Sequence, residues 1–341
     1  MKTVGFIGGK FYPLHSGHVF AITYASNLVD ELYVVLTHSE KRERKLSVKD
    51  NFPYVDSSTR LSWLGKLASE MDNVFIIEIE DDYGVEDYSW EDGAEKIKKG
   101  IGKEIDFIFS SEIGYSETFD RLYPSAKHII IDNERNAVNV SATEIRQDIY
   151  GNWDKMPNYV RAEFVKRVAV IGTESCGKST LVKNLARVFN TNYVAEYGRD
   201  ICEEYSNFLT KSMFDEIAFK QKVHEIDKVK DSNKVLFIDS EVVVTQYYLD
   251  LYFSNKKKLY NEMAKNQEYD LYLFLEPDVK WVADGLRNQG EEKIRETNNK
   301  TLKEMFDRLG IEYKVINGDY LNRFNKSFKL VSDLIKSGGV V

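Results

Sequence analysis

The densest chemical signal in the chain is Gly172-Thr173-Glu174-Ser175-Cys176-Gly177-Lys178-Ser179-Thr180. Residues 172–179 fit G-x-x-x-x-G-K-[ST] at every fixed position. Gly172 and Gly177 let the loop bend so that successive backbone N–H groups point inward at phosphates. Lys178 adds a point charge for the β- and γ-phosphates, and the Ser179 hydroxyl is placed to ligate Mg²⁺. The helix expected from Thr180 turns its positive end to the same anion. The segment predicts a site for ATP and Mg²⁺. A glycine turn beside an incidental lysine is the plainer reading, and it leaves the fixed spacing unexplained. Downstream, Val235-Leu236-Phe237-Ile238-Asp239 is an apolar strand ending in a carboxylate, the arrangement that brings Asp239 close to a nucleotide-bound Mg²⁺ or to a hydroxyl proton. Glu196 and Arg199 follow another short strand; Glu196 is the rival base, and the pair suits a ribose or a phosphate. Trp281 to Gly290, followed by Arg295, reads as a glycine-hinged lid in which Arg287 or Arg295 neutralises the moving phosphoryl group.

A second constellation lies at the start. Thr3–Ile7 is a short apolar strand that runs into Gly8-Gly9-Lys10-Phe11-Tyr12-Pro13-Leu14-His15-Ser16-Gly17-His18. Two imidazoles at a strand end and helix start can donate to phosphate oxygens, and Gly17 permits close backbone approach. A His-x-x-His pair can also bind a metal, but no Cys or third His lies near it.

Both constellations require strand ends to hold them. In the first half, strands at 3–7, 31–37, 73–79, 106–110 and 127–131 alternate with helical patterns at 19–28, 57–71 and 89–99. That alternation predicts a doubly wound, mainly parallel α/β sheet with ligands at the carboxyl ends of its strands. Lys41–Lys45 reads as a mostly basic loop, either solvated or a clamp on phosphates. Residues 150–166 read as a linker, giving domains at 1–155 and 165–341. In the second half, strands at 192–195, 235–239, 270–276 and 313–316 alternate with helices at 180–189, 213–231, 297–309 and 320–336. The helix at 213–231 has Phe214, Ile217, Ala218, Ile226 and Val229 on or near one face. Asn317-Gly318-Asp319 is a turn suited to an adenine.

Composition narrows the classes. The 341 residues are 43% hydrophobic, enough for buried cores, and the net charge of −8 argues against a general nucleic-acid binder. No apolar run reaches a membrane span, the N-terminus lacks a signal-peptide pattern, and two cysteines suit a reducing cytoplasm.

Gly8–His18 resembles the signature of the H-x-G-H nucleotidyltransferases. Val140-Ser141-Ala142-Thr143-Glu144-Ile145-Arg146 resembles their late I-S-x-T-x-x-R motif, with valine leading. On that reading Ser141 and Thr143 cap a helix facing the triphosphate, and Arg146 reaches the phosphates with its fork. An H-x-G-H transferase followed by a P-loop kinase resembles the bifunctional NadR family over nearly the whole chain. The resemblance implies a Rossmann-like nucleotidyltransferase fold followed by a P-loop kinase fold. It implies phosphorylation of nicotinamide riboside to nicotinamide mononucleotide (NMN), then adenylylation of NMN to NAD, both from ATP with Mg²⁺. It places the nicotinamide ring against Trp90, and the Trp281–Arg287 segment resembles the family lid. Strand one at residue 3 leaves no room for the family's DNA-binding segment, so no DNA partner is expected. A homo-oligomer is compatible with the sequence. Two other readings stay open: a different acceptor, such as a flavin or pantetheine phosphate, and a nucleotide-sensing regulator without turnover.

Overall fold

The computed structural model describes residues 2–81, 89–283 and 289–337, arranged in two compact units that meet in sequence at Arg161 and Ala162. In the first unit the elements run β1 (Val4–Gly9), α1 (Ser16–Ser26), β2 (Glu31–His38), α2 (Glu40–Asp50), α3 (Ser57–Ala68), β3 (Val74–Glu80) and α4 (Trp90–Ile101). They continue through β4 (Phe107–Ser110), α5 (Ser116–Leu122), β5 (Lys127–Ile130), α6 (Ala142–Gln147) and a short α7 (Asn158–Arg161). The strands form one sheet in the order β3-β2-β1-β4-β5, and every pairing is parallel. A parallel sheet is covered on both faces, so its central strands are continuous apolar runs. Leu32, Val34, Val35 and Leu36 of β2 are accordingly buried. The strand order reverses between β1 and β4, which opens a crevice at the carboxyl end of β1.

Residues 41–45 are helical rather than a loop, lying within α2. This helix buries a carboxylate where an ordinary amphipathic helix buries an apolar stripe. Glu43 is 1% exposed and receives two bonds from the equally buried Arg60 of α3, Nη1 to Oε1 at 2.9 Å and Nη2 to Oε2 at 2.6 Å. Arg60 Nη1 also donates to the Lys10 carbonyl at 2.9 Å, so the ion pair anchors the loop after β1.

The second unit runs β6 (Lys166–Ile171), α8 (Lys178–Val188), β7 (Tyr193–Val194), α9 (Tyr197–Glu204), α10 (Met213–Val229), β8 (Val235–Asp239), α11 (Val242–Phe253) and α12 (Lys258–Lys265). It ends with β9 (Leu271–Leu275), α13 (Glu292–Leu309), β10 (Lys314–Ile316) and α14 (Tyr320–Ser337). Its sheet is again parallel, in the order β10-β9-β6-β8-β7. Val168, Phe237, Leu273 and Ile316 fill the side covered by α8 and α14, while Phe274, Leu302 and Phe306 pack with α11 and α13 on the other.

Helices α8 and α13 begin at Lys178 and Glu292, earlier than the sequence pattern indicates. On α10, Ile226 is 50% exposed; Gln221 and Glu225 occupy the inward stripe instead. The apolar run 242–253, to which the sequence reading assigns no element, is helical. Glu241 caps it, Oε2 accepting from Val243 N at 2.9 Å and Oε1 from Val244 N at 3.3 Å. Most of the helix is buried, so no polar face marks a helical period.

Two candidate nucleotide sites

The first site is built on the loop between β1 and α1. Gly8 and Gly9 end β1, Lys10 is exposed beyond them, and Phe11 turns the chain at φ 47° with its ring buried. His15 caps α1: its Nδ1 accepts from the N–H groups of Gly17 at 3.1 Å and His18 at 3.4 Å. Neutral His15 therefore carries its proton on Nε2, available to a ligand. His18 stacks on His15 with ring centroids 3.7 Å apart and meets Phe11 edge-on at 5.0 Å. His18 Nδ1 is buried with no hydrogen-bond partner. Burial, with Arg135 as the next cause, lowers the His15 imidazolium to about 4. Burial, then the His15 charge and Arg135, hold His18 well below its ordinary range. Both rings are neutral donors at neutral pH.

The late motif reaches the same loop. Ser141 caps α6 reciprocally: its Oγ accepts from Glu144 N at 3.1 Å, and Glu144 Oε2 accepts from Ser141 N at 2.7 Å. Thr143, expected to share that capping, lies inside the first turn, and its Oγ1 accepts from Arg146 Nη2 at 3.1 Å. Arg146 Nη1 donates to the Tyr12 carbonyl at 2.7 Å and its Nε to Asp50 at 2.6 Å. Arg146 thus joins α6, the histidine-bearing loop and the end of α2. Asp50 carried no sequence signal. Trp90 opens α4 half-buried, its ring edge-on to Tyr115 at 5.0 Å and Phe119 at 5.9 Å in the segment after β4.

The second site surrounds the loop between β6 and α8. Gly172 has φ 146°, and a Cβ there would stand 2.8 Å from both Cys176 Sγ and the Leu275 carbonyl. Gly177 has φ 90° just before Lys178. Both positions demand glycine. The Cys176 thiol is fully buried and donates to the Thr173 carbonyl at 3.0 Å; Thr173 is buried too, with no partner for its Oγ1 among the described residues. Ser175 Oγ accepts from Val282 N at 3.0 Å, which ties the start of the lid segment to the loop. Lys178 Nζ folds over the loop onto the carbonyls of Gly172 at 3.0 Å and Thr173 at 3.1 Å. Burial works against its charge, but Cys176, Glu196, Asp239 and Glu174 outweigh that and raise its pKa.

Asp239 ends β8 with Oδ1 buried and unpartnered, beside the Ser179 hydroxyl. Burial and then the Glu196 charge raise its carboxyl above the usual range. An orphaned carboxylate oxygen next to a hydroxyl is the donor set a hard divalent cation takes from a protein when phosphates and water supply the rest. Among the described residues no group of three or more His, Cys, Asp or Glu side chains forms an all-protein metal site.

A cavity of about 360 Å³ adjoins the loop; Glu174, Ser179 and Thr180 lie on one side and Glu196, Gly198 and Arg199 on another. Glu196 lines it and Asp239 does not. Arg199 holds Glu203 at 2.9 Å. Tyr248 and Tyr252, which the sequence reading does not single out, also line the cavity, stacked at 5.8 Å with Tyr252 OH donating to Glu174 at 3.1 Å. Arg295 lies over Trp281 at 5.7 Å and donates to the Val279 carbonyl at 3.0 Å, and its buried Nε has no partner among the described residues. Arg287 falls outside the described residues.

Arg323 of α14, 2% exposed, ties the nucleotide edge together. It donates to the carbonyls of Cys176 in the loop, Glu276 after β9 and Gly318 after β10, and pairs with Asp278. Asp278 in turn accepts from Gly318 N at 2.7 Å.

The family described as Cytidylyltransferase-like matches residues 6–148, and the AAA domain family matches residues 167–323. Over 98% of its length the chain is 33% identical to the trifunctional NAD biosynthesis/regulator protein NadR of Escherichia coli (strain K12), covering 84% of that protein. The chain belongs to the NadR family. Solved structures of NadR protein in complex with NR, and with NAD and AMP-PNP, superpose with TM-scores of 0.82 and 0.80. Each is 21% identical and covers 98% of this chain and 97% of its own, a likeness of fold. Among the described residues no helix is long and apolar enough to cross a membrane.

Proposed function

We propose that the chain carries two consecutive ATP-dependent activities: phosphorylation of nicotinamide riboside to NMN in the second unit, and adenylylation of NMN to NAD and pyrophosphate in the first. The observation that carries this reading is that an H-x-G-H loop and a G-x-x-x-x-G-K-S loop each follow a central strand of a parallel sheet, in one chain whose family likeness spans both units. The acceptors follow from the relatives, named for NAD biosynthesis and solved with NR and with NAD. The second unit's cavity supports a cationic acceptor: stacked tyrosine faces and the Glu174 carboxylate suit a pyridinium ring.

In the kinase unit, the backbone N–H groups of 172–178 and Lys178 hold the donor phosphates. Ser179 and Asp239 would hold Mg²⁺, which supplies charge neutralisation on the phosphates when bound. Glu196 faces the acceptor cavity, so it accepts the proton of the attacking 5′-hydroxyl, and Asp239 is left to the cation side. Arg199 lies in reach of the riboside, and Arg295 flanks the loop from the lid side. In the transferase unit the NMN phosphate attacks the α-phosphorus of ATP in line and pyrophosphate leaves. No protein nucleophile takes part. His15 Nε2–H, His18 and the free N–H groups of Arg146 stabilise the departing charge, the β1–α1 loop from Gly8 to Gly17 cradles it, and Trp90 packs against the nicotinamide.

The test is chromatography of purified protein incubated with Mg-ATP and nicotinamide riboside. Accumulation of both NMN and NAD is the expected result. NMN alone refutes the N-terminal assignment, and ATP binding with neither product turns the chain into a nucleotide-sensing regulator.

A further inference from the structure

Helix α10 passes the turns that carry Glu196 and Asp239, and its inward stripe carries a polar side chain where the period calls for an apolar one. Gln221 is 5% exposed, and its amide makes three hydrogen bonds. Its Oε1 accepts from Tyr197 N at 2.9 Å, while its Nε2 donates to the carbonyls of Asp239 at 3.2 Å and Ser240 at 3.4 Å. The first partner adjoins Glu196 at the end of β7; the others belong to the turn that ends β8. Strands β7 and β8 pair only at Tyr193–Phe237 and Val194–Ile238, so the ladder stops before either carboxylate. Beyond it the amide bridges the two turns. One of them is strained: Ser240 has φ 68°, a region that non-glycine residues rarely occupy.

We infer that Gln221 is a positioning residue for phosphoryl transfer, its amide fixing the separation between Glu196 at the acceptor cavity and Asp239 beside Ser179. The inference rests on the kinase reading of this unit. A carboxamide suits the task because it accepts one N–H and donates to two carbonyls at once; a carboxylate cannot donate and an apolar side chain does neither. In-line transfer needs the hydroxyl, its base and the cation ligand held to a fraction of an ångström, which a two-residue ladder by itself does not secure.

The experiment compares wild type with Gln221→Met, of similar size without the bonds, and Gln221→Asn, which keeps the amide on a shorter arm. Kinase kcat, both KM values and the pH profile of kcat are read alongside the adenylyltransferase rate of the same preparation. Expected for Gln221→Met is a kcat about 10²-fold lower, KM for ATP within roughly threefold and a displaced acid limb, with adenylyltransferase rate unchanged. Gln221→Asn should recover part of kcat, and it stands alone as the test if Gln221→Met fails to fold. A kcat within about twofold of wild type in a folded variant, or a loss confined to KM, overturns the inference. Should wild type hydrolyse ATP yet ignore nicotinamide riboside, the acceptor reading fails and the same comparison is made on hydrolysis. A unit that transfers phosphoryl to neither riboside nor water removes both.

Discussion

Arg146 Nε lies 2.6 Å from Asp50 Oδ2, with both side chains withdrawn from solvent. A guanidinium offers five N–H groups, and this one commits three: to Asp50, the Tyr12 carbonyl and Thr143. One N–H on each terminal nitrogen remains for a phosphate. Arg146→Lys should lower adenylyltransferase kcat/KM by about 10²-fold, because an ammonium cannot hold the loop and a phosphate together. Asp50→Ala should destabilise the first unit by about 3 kcal/mol through the unpaired charge it leaves. Steady-state kinetics and denaturant unfolding measure the two; kinase kinetics should not move in either variant.

The two active sites should separate by mutation. Lys178→Ala should reduce NMN formation from nicotinamide riboside by about 10³-fold while NMN-to-NAD conversion persists; His18→Ala should do the reverse. Assays started from riboside and from NMN, run separately, decide this. A joint loss in either variant would contradict two independent sites.

Protons should follow the nucleotide into the first site. His15 titrates at about 4 in the free protein, against an ordinary value of 6.5, because burial and Arg135 disfavour its charge. A triphosphate alongside stabilises the imidazolium and raises that pKa. At pH about 6, binding therefore draws protons from solution. Calorimetry of Lys178→Ala protein with ATP in buffers of different ionisation enthalpy should report net uptake. The same titration on an added His15→Asn variant, which keeps a side-chain cap on α1, subtracts the protons that belong to ATP. Identical proton counts in the two proteins would mean the imidazoles do not meet the phosphates.

Glu241 makes the second unit pH-sensitive. Burial, opposed by the amides of Val243 and Val244, raises its carboxyl to about 7 from 4.5. The native state holds the proton more tightly than the unfolded chain. Its contribution to stability is therefore complete below the unfolded pKa and is lost as pH rises through the folded one. Glu241→Gln removes the charge, so the variant should gain on wild type by roughly 3 kcal/mol at pH about 8 and by almost nothing at pH about 4. Hydrogen exchange of the α11 amides across that range reads the difference.

The parallel sheets and both phosphate loops were legible in the sequence because continuous apolar strands and glycine spacing depend on local geometry. What escaped detection depended on partners remote in sequence. Glu43 of α2 finds Arg60, so a run of charges folds as a helix without an apolar period. Val242–Phe253 is buried nearly all round, and its β-branched start resembles a strand until Glu241 caps it. Gln221 did leave a trace, a polar residue at the spacing of Phe214, Ile217 and Ala218; its meaning emerges only from the two turns it touches.

The Arg323 clamp has a consequence for the order in which the protein is made. Translation proceeds from the amino end, and every strand of the first sheet has been synthesised by Ile130. The last helices of that unit follow by Arg161, before the first strand of the second unit begins at Lys166. The nucleotide edge of the second unit gains a late tie, since the Cys176, Glu276 and Gly318 carbonyls all accept from Arg323. In a nascent chain the residues of the first phosphate site therefore all emerge before the arginine that ties the second one together.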